Sequence, residues 1–157
     1  MPELRFFLPD AVALEMERQP TPARHPLSGR PFTASPLPQP AAYYYTTGAC
    51  FSLAWALAEE SGLPVGTELN PWGRAVHAFV VDIATEEMID AFGRRPIDVP
   101  DPAFLRVGWT IEEILKSVKD HPNGALVARP LRSREARERA RQTARFLLGM
   151  PEPDSSS

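Results

Sequence analysis

Apolar residues in the middle of the chain recur at helical spacing. Those on one face follow Cys50 at intervals of three, four, seven and eight positions, namely Leu53, Ala54, Leu57 and Ala58. This spacing predicts a central helix over residues 50–60. Phe51 and Trp55 widen its apolar surface, so most of the helix is expected to be buried. Gly62 is typical of a helix end.

Two segments rich in β-forming residues follow this helix, HAFVVDIA at 77–84 and EMIDAFG at 87–93. A short polar turn around residues 85–87 separates them, and the pattern predicts an antiparallel hairpin. The segment LPV at 63–65 starts a further extended stretch, and FLRVGW at 104–109 is expected to add a strand.

The last third of the chain alternates helix, strand and helix. Thr110 and Glu113 form a capping-box pattern that opens a helix over residues 111–120, and HPNG then turns the chain into a strand at 125–129. Residues 133–149 are helical, with a narrow apolar stripe formed by Ala136, Ala140, Ala144 and Leu147. The order of elements indicates an α+β fold.

The distribution of prolines separates an N-terminal arm from the rest of the chain. Half of the 18 prolines lie in the first forty residues, which forbids long helices and interior strands there. We expect residues 1–42 to form a proline-rich arm, extended over 19–42, with one short helix that Asp10 caps after Pro9. The folded domain would cover residues 43–149, and the polar tail 150–157 would be disordered.

Composition excludes several classes of protein. A net charge of −3 argues against a dedicated nucleic-acid binder, and no apolar run approaches the length of a signal peptide or a membrane span. A single cysteine forms no internal disulfide, so a reducing cytoplasm is the expected compartment, unless a specialised secretion machine delivers the protein. One cysteine and three scattered histidines lack metal-ligand spacing, so no metal or other cofactor is expected.

Cys50 is the candidate nucleophile. Thiols attack as thiolates, and an ordinary thiol with a pKa of about 8.5 needs help to ionise at neutral pH. A helix N-terminus provides part of that help, because its unpaired N–H groups favour an anion and can also receive an oxyanion. Gly48, two residues earlier, lets the backbone bend sharply and approach a substrate.

His77 is the candidate base, because His25 lies in the arm and His121 in a turn. Alternation along the strand turns Asp82 to the opposite face from His77. Asp90 on the next strand can meet the imidazole across the hairpin, provided that the register brings the two together. Such a carboxylate would fix the tautomer of the ring and stabilise its protonated form, as a catalytic triad requires.

The order GACFSLAWALAEESGLPV, HAFVVD and MIDAFGRRP resembles the catalytic core of the papain-like superfamily, most closely its transglutaminase-like and arylamine N-acetyltransferase branches. The resemblance covers residues 43–97. It implies a Cys-bearing helix packed on an antiparallel sheet, with Cys50, His77 and Asp90 at the catalytic positions. No Gln precedes Cys50 at the position of the papain oxyanion-hole residue, and the substrate-binding candidates are Tyr45, Thr46, Gly48 and Trp72.

The resemblance implies a cysteine-dependent acyl-transfer enzyme that acts on an amide of a protein or peptide-like substrate, as a protease, amidase, deamidase or transferase. Similar small modules occur in bacterial effectors and toxins. The alternative is a protein-binding adaptor or inhibitor that keeps the fold without catalysis, since a lone Cys in an apolar helix is usually a small buried residue. The Arg-rich helix at 133–148 fits a solvated face with Glu135 and Glu138 better than an anion-binding surface. The sequence leaves the oligomeric state open.

Overall fold

The computed structural model describes residues 2–110, 112–113, 116 and 133–151. These residues form an α+β fold, as the pattern predicts. The helices are α1 (Leu4–Phe7), α2 (Asp10–Arg18), α3 (Gln39–Thr47), α4 (Cys50–Ser61) and α5 (Arg134–Leu147). The strands are β1 (Val65–Leu69), β2 (Ala75–Asp82), β3 (Glu87–Asp90), β4 (Gly93–Pro96) and β5 (Leu105–Val107). No described helix has the length and apolar character needed to cross a bilayer.

The strands form one antiparallel sheet in the order β4-β3-β2-β1-β5. The predicted hairpin is confirmed as β2 and β3, with Val80 opposite Ile89, and the strand predicted around residue 105 is confirmed as β5. On the other side of β2, His77 lies opposite Glu68 of β1. The sheet therefore carries His77 in a central strand, with a charged neighbour on β1.

Helix α4 lies in the core, packed against both β2 and α5. It begins at Cys50, as predicted, and Leu53 and Leu57 are almost completely buried. Its end at Gly62 has φ of 75°, a left-handed conformation that glycine adopts without steric cost. The predicted stripe of α5 is confirmed, because its alanines Ala136, Ala140 and Ala144 are buried.

The arginines of α5 find acidic partners on other elements. Arg141 Nε lies 2.9 Å from a carboxylate oxygen of Glu60 on α4, and Arg145 Nη1 lies 3.1 Å from the other oxygen. Arg139 lies 3.6 Å from Asp10 of α2. This face is salt-bridged, as the sequence suggests, but these ion pairs link α5 to α4 and α2.

The arm departs from the prediction in three places. It holds a second short helix, α1, where only the helix at Asp10 was expected. Residues 39–42 are helical rather than extended, because α3 starts after Pro38 and holds Pro40 in its first turn, where a missing N–H breaks no helical hydrogen bond. The N-cap of α2 is Pro9, and Asp10 lies in the first turn instead. The arm also contributes Phe32, Leu37, Ala41 and Ala42 to the main hydrophobic core.

Part of the predicted second half lies outside the described residues. The strand at 125–129, most of the helix at 111–120 and the tail from 152 belong to this part of the chain. The capping box that opens the predicted helix is present, since the Glu113 N–H donates to Thr110 Oγ1 at 3.2 Å.

Candidate active site

The structure brings Cys50, His77 and Asp90 together from three different elements. Cys50 is the first residue of α4, His77 lies near the start of β2, and Asp90 is the last residue of β3. The His77 ring is hydrogen-bonded to Asp90, and the Cys50 thiol lies close enough to that ring to raise its pKa. The three side chains therefore form one cluster.

The contact between His77 and Asp90 follows from the register of the hairpin. Val81 lies opposite Met88, so the same register carried two residues further sets Asp90 opposite Phe79, on the face that also holds His77. His77 Nε2 lies 2.8 Å from Asp90 Oδ2, and the Phe92 N–H donates to Oδ1 at 2.9 Å. Because Nε2 faces the carboxylate, Nδ1 is the ring nitrogen available to Cys50.

The groups around His77 favour the protonated, positively charged form of its imidazole. Burial lowers the pKa of His77, but hydrogen bonds with Asp90 and Cys50 outweigh it and raise that pKa to about 10. Burial raises the pKa of Asp90, yet His77 and Arg95 hold that pKa well below its ordinary value. The Asp90 side chain is 3% exposed and the His77 side chain 24%, so the contact is largely shielded from water. At neutral pH the two groups form an ion pair.

The N-terminus of α4 offers donors beside the thiol. The first hydrogen bond of the helix runs from the Leu53 N–H to the Ala49 carbonyl, at 3.1 Å. The N–H groups of Cys50, Phe51 and Ser52 therefore have no acceptor within the helix. Preorganised N–H groups of this kind can stabilise a negatively charged oxygen that develops on a substrate carbonyl.

Gly48 lies in the short turn between α3 and α4, next to open space, so the chain bends here as predicted. Its φ of −145° is not left-handed, so the bend does not require a positive φ. A Cβ atom at this position would meet no atom within 4 Å. The residue leaves room in front of the N-terminus of α4.

A cleft of about 350 Å³ reaches the imidazole. The arm forms one wall and the sheet the other, and the lining includes His25, Arg30, Thr46, Glu68, Val76 and His77. Cys50 itself is 7% exposed and lies outside the lining of this cleft. The cleft gives a substrate access to the side of His77, and the arm helps to shape it.

His25 holds the arm against α3. Its Nδ1 accepts hydrogen bonds from the N–H groups of Leu27 and Ser28, both at 3.2 Å. Nε2 is then the protonated nitrogen, and it donates to the Thr46 carbonyl oxygen at 3.3 Å. The ring is fully engaged in these contacts, so His25 acts as a structural support in the wall of the cleft.

The predicted substrate-binding residues differ in their exposure and in their position relative to the cleft. Tyr45 is 1% exposed, and its hydroxyl donates to the Phe7 carbonyl, so its expected contact with a substrate is wrong. Thr46 lines the cleft, although its hydroxyl donates to the Ala42 carbonyl at 2.8 Å. Trp72 is 82% exposed in the turn between β1 and β2, outside the lining of the cleft.

Two charged residues on the strands next to β3, Asp82 and Arg95, make different contacts. Asp82 turns away from His77, as the alternation predicts, and accepts a hydrogen bond from Arg94 at 3.0 Å. Arg95, which sequence reasoning missed, binds Asp90 with two nitrogens. Its pairing with Met88 places it on the face of β3 that Met88 shares with Asp90, and no sequence pattern marks this pairing.

A scan against protein-family models, a search of curated proteins and a search of solved structures each found no match for this chain. Within the part of the chain that the structure describes, no group of three or more His, Cys, Asp or Glu side chains is arranged to hold a metal ion. The interpretation of the site therefore depends on its own geometry.

Proposed function

We propose that this protein is a cysteine-dependent acyl-transfer enzyme with a papain-like core, acting on an amide. The observation that carries the proposal is the imidazole of His77, which is hydrogen-bonded to Asp90 and lies close to the Cys50 thiol. A nucleophile, a base and a group that orients the base are the three parts that covalent catalysis by a thiol requires.

The first step forms a thioester on Cys50. The Cys50 sulfur, as a thiolate, attacks the carbonyl carbon of the amide, and the N–H groups at the start of α4 stabilise the oxyanion. His77 donates its proton to the departing nitrogen as the C–N bond breaks, which leaves an acyl-enzyme and a free amine. Asp90 keeps Nε2 of the ring engaged and compensates the positive charge that the ring carries before this transfer.

The second step releases the acyl group. His77, now neutral, takes a proton from water or from an acceptor amine as that nucleophile attacks the thioester. The thiolate of Cys50 leaves, and the imidazolium is restored. Water as the acceptor makes the enzyme a protease, amidase or deamidase, whereas an amine makes it a transferase.

The substrate we propose is a protein or peptide-like amide. The cleft lies between the arm and the sheet, and its lining combines charged side chains with exposed apolar ones at Leu27 and Val76. Such a lining can contact both the polar backbone and the apolar side chains of a peptide segment. The activity fits a bacterial effector or toxin-like module that works in the cytoplasm.

Acylation by an activated ester tests this proposal. Mixing the protein with excess p-nitrophenyl acetate is expected to release a burst of about one p-nitrophenol per chain, because the thioester forms faster than it breaks down. The Cys50→Ala variant should show only the background rate. A burst that persists in this variant would contradict the proposal, and so would its absence from the wild type.

A protein-binding adaptor with the same fold is the second candidate. The low exposure of Cys50, 7%, is the observation that favours it, because an inert cysteine is usually buried in this way. An adaptor predicts no burst with the ester and a slow thiol whose alkylation is indifferent to His77. The same ester experiment therefore separates the two candidates.

A further inference from the structure

Arg95 reaches from β4 to Asp90 and binds both carboxylate oxygens. Its Nη1 donates to Oδ1, and its Nη2 donates to Oδ2 at 3.0 Å. The Arg95 side chain is 16% exposed, so this contact is also shielded from water. A two-point contact fixes the plane of a carboxylate, whereas a single hydrogen bond leaves the carboxylate free to turn.

The oxygen that faces His77 is part of this contact. Asp90 Oδ2 accepts from both Arg95 Nη2 and His77 Nε2, while the Phe92 N–H holds Oδ1. The orientation of the carboxylate toward the imidazole thus depends on Arg95 and on one backbone donor. Without the guanidinium, His77 and the Phe92 N–H would remain as the partners of the carboxylate among the residues that the structure describes.

Arg95 is itself held in place on its far side. Its Nε lies 3.5 Å from Asp98 Oδ2, and its guanidinium carbon lies 5.7 Å from the centre of the Phe92 ring. Asp98 in turn accepts from Arg30 of the arm at 2.6 Å. A side chain restrained in this way is suited to fixing the geometry of the group that it binds.

We propose that Arg95 is a positioning residue of the site, which holds the Asp90 carboxylate so that it accepts from His77 Nε2 and leaves Nδ1 for Cys50. Its importance for catalysis rests on the proposed function. Its effect on the His77–Asp90 contact does not, because that contact exists whether or not Cys50 acts as a nucleophile.

Charged and titratable groups surround His77 on α4 and on three strands, as well as in the arm and in the loop after β4. They are Cys50 on α4, Glu68 on β1, Asp90 on β3 and Arg95 on β4, while the arm and the loop after β4 add His25, Arg30 and Asp98 along the cleft. Replacing Arg95 changes both the charge and the geometry of this set. Two substitutions are needed to separate these effects.

The test is an NMR titration of the His77 ring in Arg95→Lys and Arg95→Gln, with Arg94→Gln as the matched control. Arg94 is adjacent and pairs with Asp82 and Glu87 instead. Both Arg95 variants are expected to lower the pKa of His77 by about one unit, a tenfold change in its ionisation equilibrium, because neither can hold Asp90 at two points. The control should titrate like the wild type.

A role of Arg95 through charge alone gives a different pattern. Arg95→Lys would then match the wild type, and Arg95→Gln would raise the pKa of His77, because a positive neighbour has been removed. Either this pattern or unchanged titration in both variants would overturn the proposal. Loss of the folded state in both variants would also overturn it, since a positioning role requires a folded protein in which the site alone has changed.

Failure of this inference is distinguishable from failure of the proposed function. Absence of the ester burst in the wild type would remove the acyl-transfer proposal, and the NMR titration would still test Arg95. A normal burst combined with wild-type titration of His77 in both Arg95 variants would remove the role of Arg95 and leave the acyl-transfer proposal standing.

Discussion

Replacing His77 with glutamine is expected to lower kcat/KM for an anilide substrate by about 10³-fold, within the range that general acid–base catalysis supplies. Glutamine fills similar space but carries no titratable proton. An anilide needs that proton, because its nitrogen leaves poorly unless it is protonated as the C–N bond breaks. The hydrogen bond between His77 and Asp90 holds the ring in place, as the proposed transfer would require.

The same variant should affect an ester much less. A p-nitrophenolate leaves without protonation, so the ester reports mainly on the ionised fraction of the thiol, and we expect a loss of about tenfold. Initial rates with the two substrates, compared with Cys50→Ala as the background, measure both effects. Equal losses with ester and anilide would contradict the role of His77 as proton donor to the leaving nitrogen.

Replacing Asp90 with asparagine is expected to lower the free energy of unfolding by about 3 kcal/mol at pH 6, the low end of the range for breaking a buried ion pair. The variant leaves the guanidinium of Arg95 and the imidazolium of His77 without the carboxylate that both contact. Partial exposure of His77, 24%, keeps the loss near the low end. Urea unfolding measures it.

The pH dependence of this loss follows from the two shifted pKa values. The pKa of Asp90 is depressed in the folded state, so its contribution is present above its ordinary value near 3.8 and is lost as the pH falls below it. The pKa of His77 is raised, so its contribution is present below its ordinary value near 6.5 and is lost as the pH rises toward about 10. The wild type should therefore lose stability between pH 6.5 and 10, and Asp90→Asn should lose less over that range.

Asp82→Asn is the matched control for this experiment. Asp82 lies on the neighbouring strand β2 and pairs with Arg94, whose side chain is 44% exposed, so its loss should change stability much less than the loss of Asp90. Similar losses in the two variants would show that Asp90 contributes no more than a surface carboxylate. That result would contradict the buried ion pair.

The elements that carry the site could be predicted from the sequence because each has a strong local pattern. The apolar spacing after Cys50 gives α4, and the β-rich segments on either side of residue 85 give the hairpin that holds His77 and Asp90. The contact between His77 and Asp90 depends on the register of the hairpin, since a one-residue change would turn Asp90 to the other face. The register is set by tertiary packing, which the local pattern does not determine.

The residues that support the site were not predictable in the same way. Arg95 lies on β4, a strand of four residues with little apolar alternation, so no pattern marked it as a strand. The proline density of the arm hid α3, and with it the burial of Tyr45, because two prolines lie at the start of this helix rather than inside it. The first error arises where tertiary packing decides the conformation, and the second arises from reading prolines at a helix start as helix breakers.

If Cys50 is the nucleophile of the site, its reactivity depends on His77, and the pH dependence of iodoacetamide alkylation measures that dependence. An ordinary thiol is ionised to about 0.3% at pH 6. A thiol paired with an imidazolium is almost fully ionised, but such a thiolate is less nucleophilic, so the net gain in alkylation rate is about tenfold. We predict that the wild type is alkylated about tenfold faster than His77→Gln at pH 6, and that the advantage disappears at pH 9. Equal rates at pH 6, or an ordinary thiol titration in both proteins, would contradict the account.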